Sequence, residues 1–336
     1  PFTMSARPRD LPLHANAENC TDRTFIVTGA NSGLGYEVTK HLIAAGASKV
    51  IMAVRNVDSG KAAKRQIEAE LGRGNIAAEI WPIDLASYTS VKAFASRATN
   101  ELSRIDALVE NAGVFDFKRI MVQGHLSTVT VNVISPFLLA VLLLPKLKET
   151  AEACRLPPHV VFVGSSYGFK NEEEWTLIKD DPLAKMDANG LSEVPVDTHQ
   201  TYSLSKLVVI MGARQLAQRF PVSSNGVVIN AVAPGLCMTN LARNGPPEFQ
   251  NEMAKRVEMY GRTAEQGSRT LLHAAFAGKD SHGRYLDSCQ IADDRLPDWM
   301  TNVEGIVSET NTWNAIVAEL EVAEPGIVEN VLKVKV

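Results

Sequence analysis

Cysteine is scarce in this chain: Cys20, Cys154, Cys237 and Cys289 are all there is in 336 residues, and none has the spacing of a metal clasp or a redox pair. That excludes a disulfide scaffold and points to reduced thiols in a reducing, cytoplasmic compartment. An excess of one charge sign is also lacking. A net charge of −4, from 34 basic and 38 acidic residues, excludes a basic nucleic-acid or anionic-membrane surface as the main partner. No apolar run has the ~20 uninterrupted residues of a membrane span. The longest, 131–145, carries Asn132, Ser135 and Pro136 and reads as a buried helix. At the start, Arg7, Pro8, Arg9, Asp10 and Pro12 lack the pattern of a signal peptide and read as an extended arm.

With 45% hydrophobic residues, the chain can bury one large core. Strand-like runs near 24–28, 49–54, 77–83, 106–109, 159–164, 226–232 and 284–287 alternate with helical patterns at 34–45, 58–71, 88–102, 118–149, 202–219 and 262–277. This alternation predicts an α/β fold: a doubly wound parallel sheet of about seven strands, with ligands at the carboxyl ends of the strands. The division expected is an arm (1–22), one catalytic domain (23–289) and a C-terminal segment packing on it (290–336). Two stretches break the rhythm, 168–200 and 236–261, and long excursions in a compact domain are usually lids or binding loops.

The G-x-G-x-x-G spacing of many dinucleotide folds is absent. In its place Thr28-Gly29-Ala30-Asn31-Ser32-Gly33-Leu34-Gly35 joins the first strand to the first helix. Its glycines permit positive φ and close approach of a ligand, and the helix start offers unpaired N–H groups to a pyrophosphate. Far downstream, Tyr202-Ser203-Leu204-Ser205-Lys206 opens an apolar helix and sets a phenol and an ammonium one turn apart on one face. A lysine there is expected to lower the phenol's pKa and fit it for acid–base work.

These two motifs together resemble the short-chain dehydrogenase/reductase family. Further ordered matches carry the resemblance from about residue 23 to 240: Asp84-Leu85, Asn111-Ala112-Gly113, Asn132, Ser165-Ser166 and Pro234-Gly235. The resemblance implies a Rossmann fold, with Asp84 and Leu85 at the adenine and the Asn-Ala-Gly turn supporting the central strand. It also implies that Pro234-Gly235 leads to Thr239 near the nicotinamide carboxamide. Tyr202 would be the proton donor, Lys206 its tuner and the holder of the nicotinamide ribose. Ser166, the second of its pair, would bind the substrate oxygen, and Asn132 would hold a proton-relaying water. One departure is Glu110, where the family commonly has a second Asn. The closest likeness within the family is to retinol dehydrogenase-like members and related reductases of lipid and natural-product metabolism, with an expanded interval between Ser166 and Tyr202.

Cofactor choice rests on another absence. The carboxylate that would accept the ribose 2′-OH of NAD is missing, and Arg55 stands where it would be, which favours the 2′-phosphate of NADP. Leu236, Met238, Leu241, Phe249 and Met253 form an apolar set suited to a hydrophobic substrate, with Trp175 expected as the inward anchor of 168–200. The apolar stretches 131–144 and 204–216 match a helix pair that forms a dimer interface in many family members, so a monomer or a homodimer is expected. The function expected is NADPH-dependent interconversion of a carbonyl and an alcohol on a medium-sized apolar small molecule, with no metal and no nucleic-acid partner. Alternatives are reduction of a C=C bond or imine, assistance to a cyclisation, or NADP(H) sensing without turnover.

Overall fold

In a computed structural model that describes residues 8–188 and 198–332, the apolar runs become strands β1 (Thr24–Thr28), β2 (Lys49–Val54), β3 (Ala78–Pro82) and β4 (Ala107–Glu110). They are followed by the short β5 (Met121–Val122) and β6 (His125–Leu126), then β7 (His159–Val163), β8 (Val228–Ala233), β9 (Tyr285–Asp287) and β10 (Gln290–Ile291). Eight of them form one sheet in the order β10-β9-β8-β7-β4-β1-β2-β3, parallel except for the antiparallel β10. The eighth strand, two residues long, is the addition to the seven expected. In register, Ile26 of β1 faces both Ile51 of β2 and Leu108 of β4. Strand order therefore reverses beside β1, and a crevice opens there at the carboxyl ends.

Strands β1, β4, β7 and β8 are buried on every residue, as parallel strands covered on both faces must be. One face packs on helices Gly33–Ala44, Val57–Leu71 and Ala264–Phe276, the other on Tyr88–Glu101, Ser135–Cys154 and Thr198–Arg219.

The stretch read as one helix over 118–149 divides differently. Gln123 and Gly124 both take positive φ, 54° and 88°, which closes a hairpin between β5 and β6. A helical run, Ser127–Cys154, follows. It is long and apolar enough to cross a membrane, with mean hydropathy 2.0, but 94% of its apolar stretch is buried within the protein, as a core helix would be.

Two C-terminal helices cover the second face. Val303–Ala323 and Ile327–Leu332 lie against Thr198–Arg219 and Ser135–Cys154. At Gly212 the approach is so close that a Cβ would stand 2.5 Å from Phe137 and 2.7 Å from Ile316. Trp313 sets its edge to Phe137, and the Arg214 guanidinium donates to buried Glu309 at 2.5 Å. The stretches 131–144 and 204–216, expected as dimer faces, are thus buried within one chain.

The segment after Ser166 is helical rather than irregular, with Glu172–Ile178 and Pro182–Asp187 in its described part; 189–197 lie outside the described residues, as do 1–7 of the arm and the last four residues. Trp175 is buried, but its indole N–H reaches Ser308 of the C-terminal helix at 3.3 Å and the ring does not line the cavity described below. His125 bridges hairpin, insert and C-terminal helix, 2.6 Å from Asp187 and 2.8 Å from Glu319.

Candidate active site

The glycine turn is held open by close packing. Gly29 and Gly33 have φ of +66° and +56°, and a Cβ on Gly35 would lie 2.5 Å from the Gly29 carbonyl oxygen. Gly35 therefore lets the helix start against the turn rather than facing a ligand. Thr28 ties this turn to the next one: its hydroxyl accepts the N–H groups of Asn111 and Ala112, each at 3.0 Å, while the Asn111 amide donates to the Thr28 carbonyl at 2.8 Å. The same hydroxyl lies 3.2 Å from Glu110, whose other carboxyl oxygen is buried without a hydrogen-bond partner. Burial pushes the Glu110 carboxyl up to about 8, against a smaller lowering by Thr28.

Asn132 sits in a widened π-helical turn, Thr130–Ile134, a distortion frequent at functional sites. Its side chain accepts from the Val114 N–H at 2.8 Å and donates to the Val114 carbonyl and the Ser205 hydroxyl at 3.0 and 3.1 Å. It stands behind Gly113: a Cβ there would meet Asn132 Oδ1 at 3.1 Å and Lys206 Nζ at 3.4 Å.

Helix Thr198–Arg219 presents Tyr202 and Lys206 together, as their spacing requires. Lys206 is buried and donates to the Val163 carbonyl at 2.8 Å; burial pulls its pKa down to about 8. The expected lowering of the Tyr202 phenol is not found in the protein alone. Burial raises it, with a smaller contribution from the Cys237 thiol, and the Lys206 ammonium is turned to the strand. Ser165 caps the turn Ser166–Lys170 by accepting the Tyr167 N–H at 3.1 Å, so of the serine pair one hydroxyl is committed to local structure.

All these elements border one cavity of about 1860 Å³. Every residue named from the sequence as catalytic or cofactor-binding lines it, except Gly35 and Asn132, which support the wall from behind. Arg55 stands exposed at the tip of β2, next to Asn56, which caps helix Val57–Leu71 through the Ser59 N–H. The cavity's size and the two positive-φ glycines whose added Cβ would crowd neighbours suit a dinucleotide, and Arg55 adds a cation to the lining.

A family profile described as short chain dehydrogenase matches residues 23–177. Over 331 residues the chain is 36% identical to the short chain dehydrogenase/reductase dmxR8 of Cryptosporiopsis sp., covering 98% of this chain and 99% of that protein. The chain is a short-chain dehydrogenase/reductase. It also shares 32% identity over 318 residues with the short-chain dehydrogenase anuD of Penicillium roqueforti, 91% of this chain and 79% of that protein. Two solved structures carry the same fold. A protein from Mycobacterium Paratuberculosis matches with TM-score 0.65 and 24% identity over 91% of this chain and 97% of its own. The NADPH-bound carbonyl reductase from chicken fatty liver matches at 0.55 and 20% over 80% and 97%. The family is one of oxidoreductases, and these matches specify no branch within it, the retinol dehydrogenase-like one included.

In this short-chain dehydrogenase/reductase the cavity also has an apolar and aromatic section, beside charged residues that include Lys170, Arg243, Glu252 and Arg256. Leu236, Met238, Leu241, Phe249 and Met253 line it, the last two from helix Pro247–Tyr260. Phe115 stacks on the Tyr202 ring at 4.4 Å and 13°, Phe117 stacks on Phe115 at 4.7 Å, and Phe249 meets both edge-on. Sequence reasoning missed Phe115, although its place two residues after Gly113 was a usable signal. It also missed the buried Arg262, which carries no motif.

Proposed function

We propose that this protein is an NADP(H)-dependent oxidoreductase that interconverts a carbonyl and a primary or secondary alcohol on a medium-sized, largely apolar small molecule. The observation that carries the reading is that Tyr202, Lys206 and Ser166 share one cavity with the glycine turn and Arg55. When bound, the nicotinamide supplies or takes up a hydride. Gly29, Asn31, Ser32, Gly33 and Leu34 would hold the pyrophosphate, Arg55 the 2′-phosphate, and Asp84 and Leu85 the adenine. Asn111, Ala112 and Gly113 would floor the site, with Pro234, Gly235 and Thr239 beside the nicotinamide.

Negative charge develops on the substrate oxygen as its carbon gains hydride, so a positioned acid must meet it. Ser166 orients that oxygen by hydrogen bonding. Tyr202 passes its proton to it. Burial, which keeps the phenol protonated, supports the donor role; the Lys206 ammonium, bonded to the Val163 carbonyl, would have to turn toward the phenolate to favour it. Asn132 acts as a positioning residue for Val114 and Ser205, and any water it relays would use its remaining acceptor capacity. The apolar rim of Phe249, Met253 and Leu236 supports a hydrophobic substrate.

NADPH consumption over a panel of ketones and aldehydes, followed at the nicotinamide absorbance, tests this reading. Turnover on carbonyls that disappears in Tyr202→Phe is the result expected. Turnover confined to conjugated C=C substrates, or tight NADPH binding with no turnover on any substrate, would replace the reading with one of its alternatives.

A further inference from the structure

Arg262 is 2% exposed, and each of its guanidinium nitrogens reaches a different part of the chain. Nε donates to the Pro8 carbonyl at 2.9 Å, Nη1 to the Pro234 carbonyl at 2.8 Å and Nη2 to the Ser288 hydroxyl at 2.8 Å. Its backbone adds two bonds to the same loop: its N–H donates to the Leu236 carbonyl at 2.8 Å, and its carbonyl accepts from Met238 at 2.9 Å. One residue thus holds positions 234, 236 and 238. A peptide unit is planar and trans, so turning the 234 and 236 carbonyls toward Arg262 turns the N–H groups of Gly235 and Cys237 the opposite way. Both residues line the cavity.

The N-terminal arm completes the clamp. Next to Pro8, Arg9 donates to the Glu258 and Met259 carbonyls at 2.9 and 3.3 Å, at the end of the helix that carries Phe249 and Met253. Leu11, two residues on, accepts from Arg269 at 2.5 Å and is itself buried. A buried guanidinium is costly unless its donors are satisfied, and here the donors are met by the segments that border the reacting end of the cavity.

We propose that Arg262 is a positioning residue for the nicotinamide half of the cofactor site, fixing the loop from Pro234 to Thr239 and coupling it through the arm to the substrate helix. The proposal rests on the cofactor reading above. NADPH would span both ends of the cavity, whereas 2′,5′-ADP carries the adenosine with its 2′- and 5′-phosphates and so tests Arg55 and the glycine turn without the nicotinamide end. In Arg262→Met, NADPH affinity is expected to fall by about tenfold to a hundredfold, the scale of a lost charged hydrogen bond, while 2′,5′-ADP affinity changes by less than about twofold. Arg262→Lys, which keeps the charge and restores at most part of the fork, should fall between Met and wild type. 2′,5′-ADP binding doubles as the check that a variant is folded. If Met fails it, the Lys variant is read in the same way. NADPH binding equal to wild type in a folded variant overturns the proposal. So does an equal loss of both ligands in the two variants, since that marks a general collapse. A wild-type protein that bound neither ligand would overturn the cofactor reading first, and the clamp with it.

Discussion

At one end of the cavity Arg55 stands exposed at a strand tip; at the other, Lys206 is 6% exposed, its ammonium bonded to the Val163 carbonyl. The exposed charge acts through a screened field and can be replaced at modest cost. The buried one has had its pKa moved by its surroundings and is tied into a packed wall with Asn132 and Gly113. In the proposed function, charge at the open end would select between ligands and charge at the closed end would adjust chemistry.

The sharpest way to break this contrast is at Tyr202. Tyr202→Phe should lower carbonyl turnover by about 10² to 10⁴ with little change in NADPH affinity or melting temperature. Turnover at the wild-type rate would remove the closed end from the chemistry.

Burial without a full set of partners should also be visible in stability, at Glu110. Its folded pKa of about 8 lies above the ordinary 4.5, so the contribution of the neutral carboxyl is intact below about 4.5 and is lost as pH rises through about 8. Glu110→Gln should therefore be more stable than wild type at pH 8.5, by up to a few kcal/mol of unfolding free energy, and the gap should narrow toward pH 5. A gap independent of pH would mean that the carboxyl is not held neutral.

At the open end, Arg55→Ala should cost about one to two decades of NADPH affinity and leave NADH nearly untouched. Because the site is exposed, added salt should erode the wild-type preference for NADPH over NADH. A cofactor preference unchanged in the mutant would show that another group reads the 2′-phosphate. Smaller still, Phe249→Ala should raise KM for apolar ketones several-fold while NADPH affinity stays within error, and equal KM values across the panel would place specificity elsewhere. The last effect expected is none at all. With both candidate dimer faces buried under the C-terminal helices, light scattering should give a mass near 36.5 kDa that does not change with concentration. A mass that doubled on concentration would reveal an interface on another surface.

Much of this architecture is legible in the chain because parallel strands and glycine turns are local signals. The run 49–54 is a strand to the residue, and Gly29 and Gly33 need the positive φ that only a turn imposes. What was not legible depends on packing between distant segments. Read alone, 118–149 gives one helical pattern; the Gln123-Gly124 pair that makes a hairpin of its first part is a weak turn signal beside the apolar run that follows. The stretch 168–200 reads as an irregular excursion, yet Glu172, Glu173 and Glu174 occupy the first turn of a helix, where the dipole favours them, with Glu172 and Glu173 facing water. Trp175 was correctly read as facing inward but toward the wrong partner, because its neighbour Ser308 lies on a helix far along the chain. The phenol's raised pKa escaped for the same reason. Spacing brings Lys206 to the same face as Tyr202, but it cannot say that the ammonium will turn to Val163.

The helix that covers 131–144 and 204–216 begins only at Val303. At a ribosome adding about 5–20 residues per second, the stretch from 216 to 323 takes on the order of 5–20 s to make, and through that interval two oily surfaces have no cover of their own. A chain cut short before Val303 should therefore aggregate rather than dimerise.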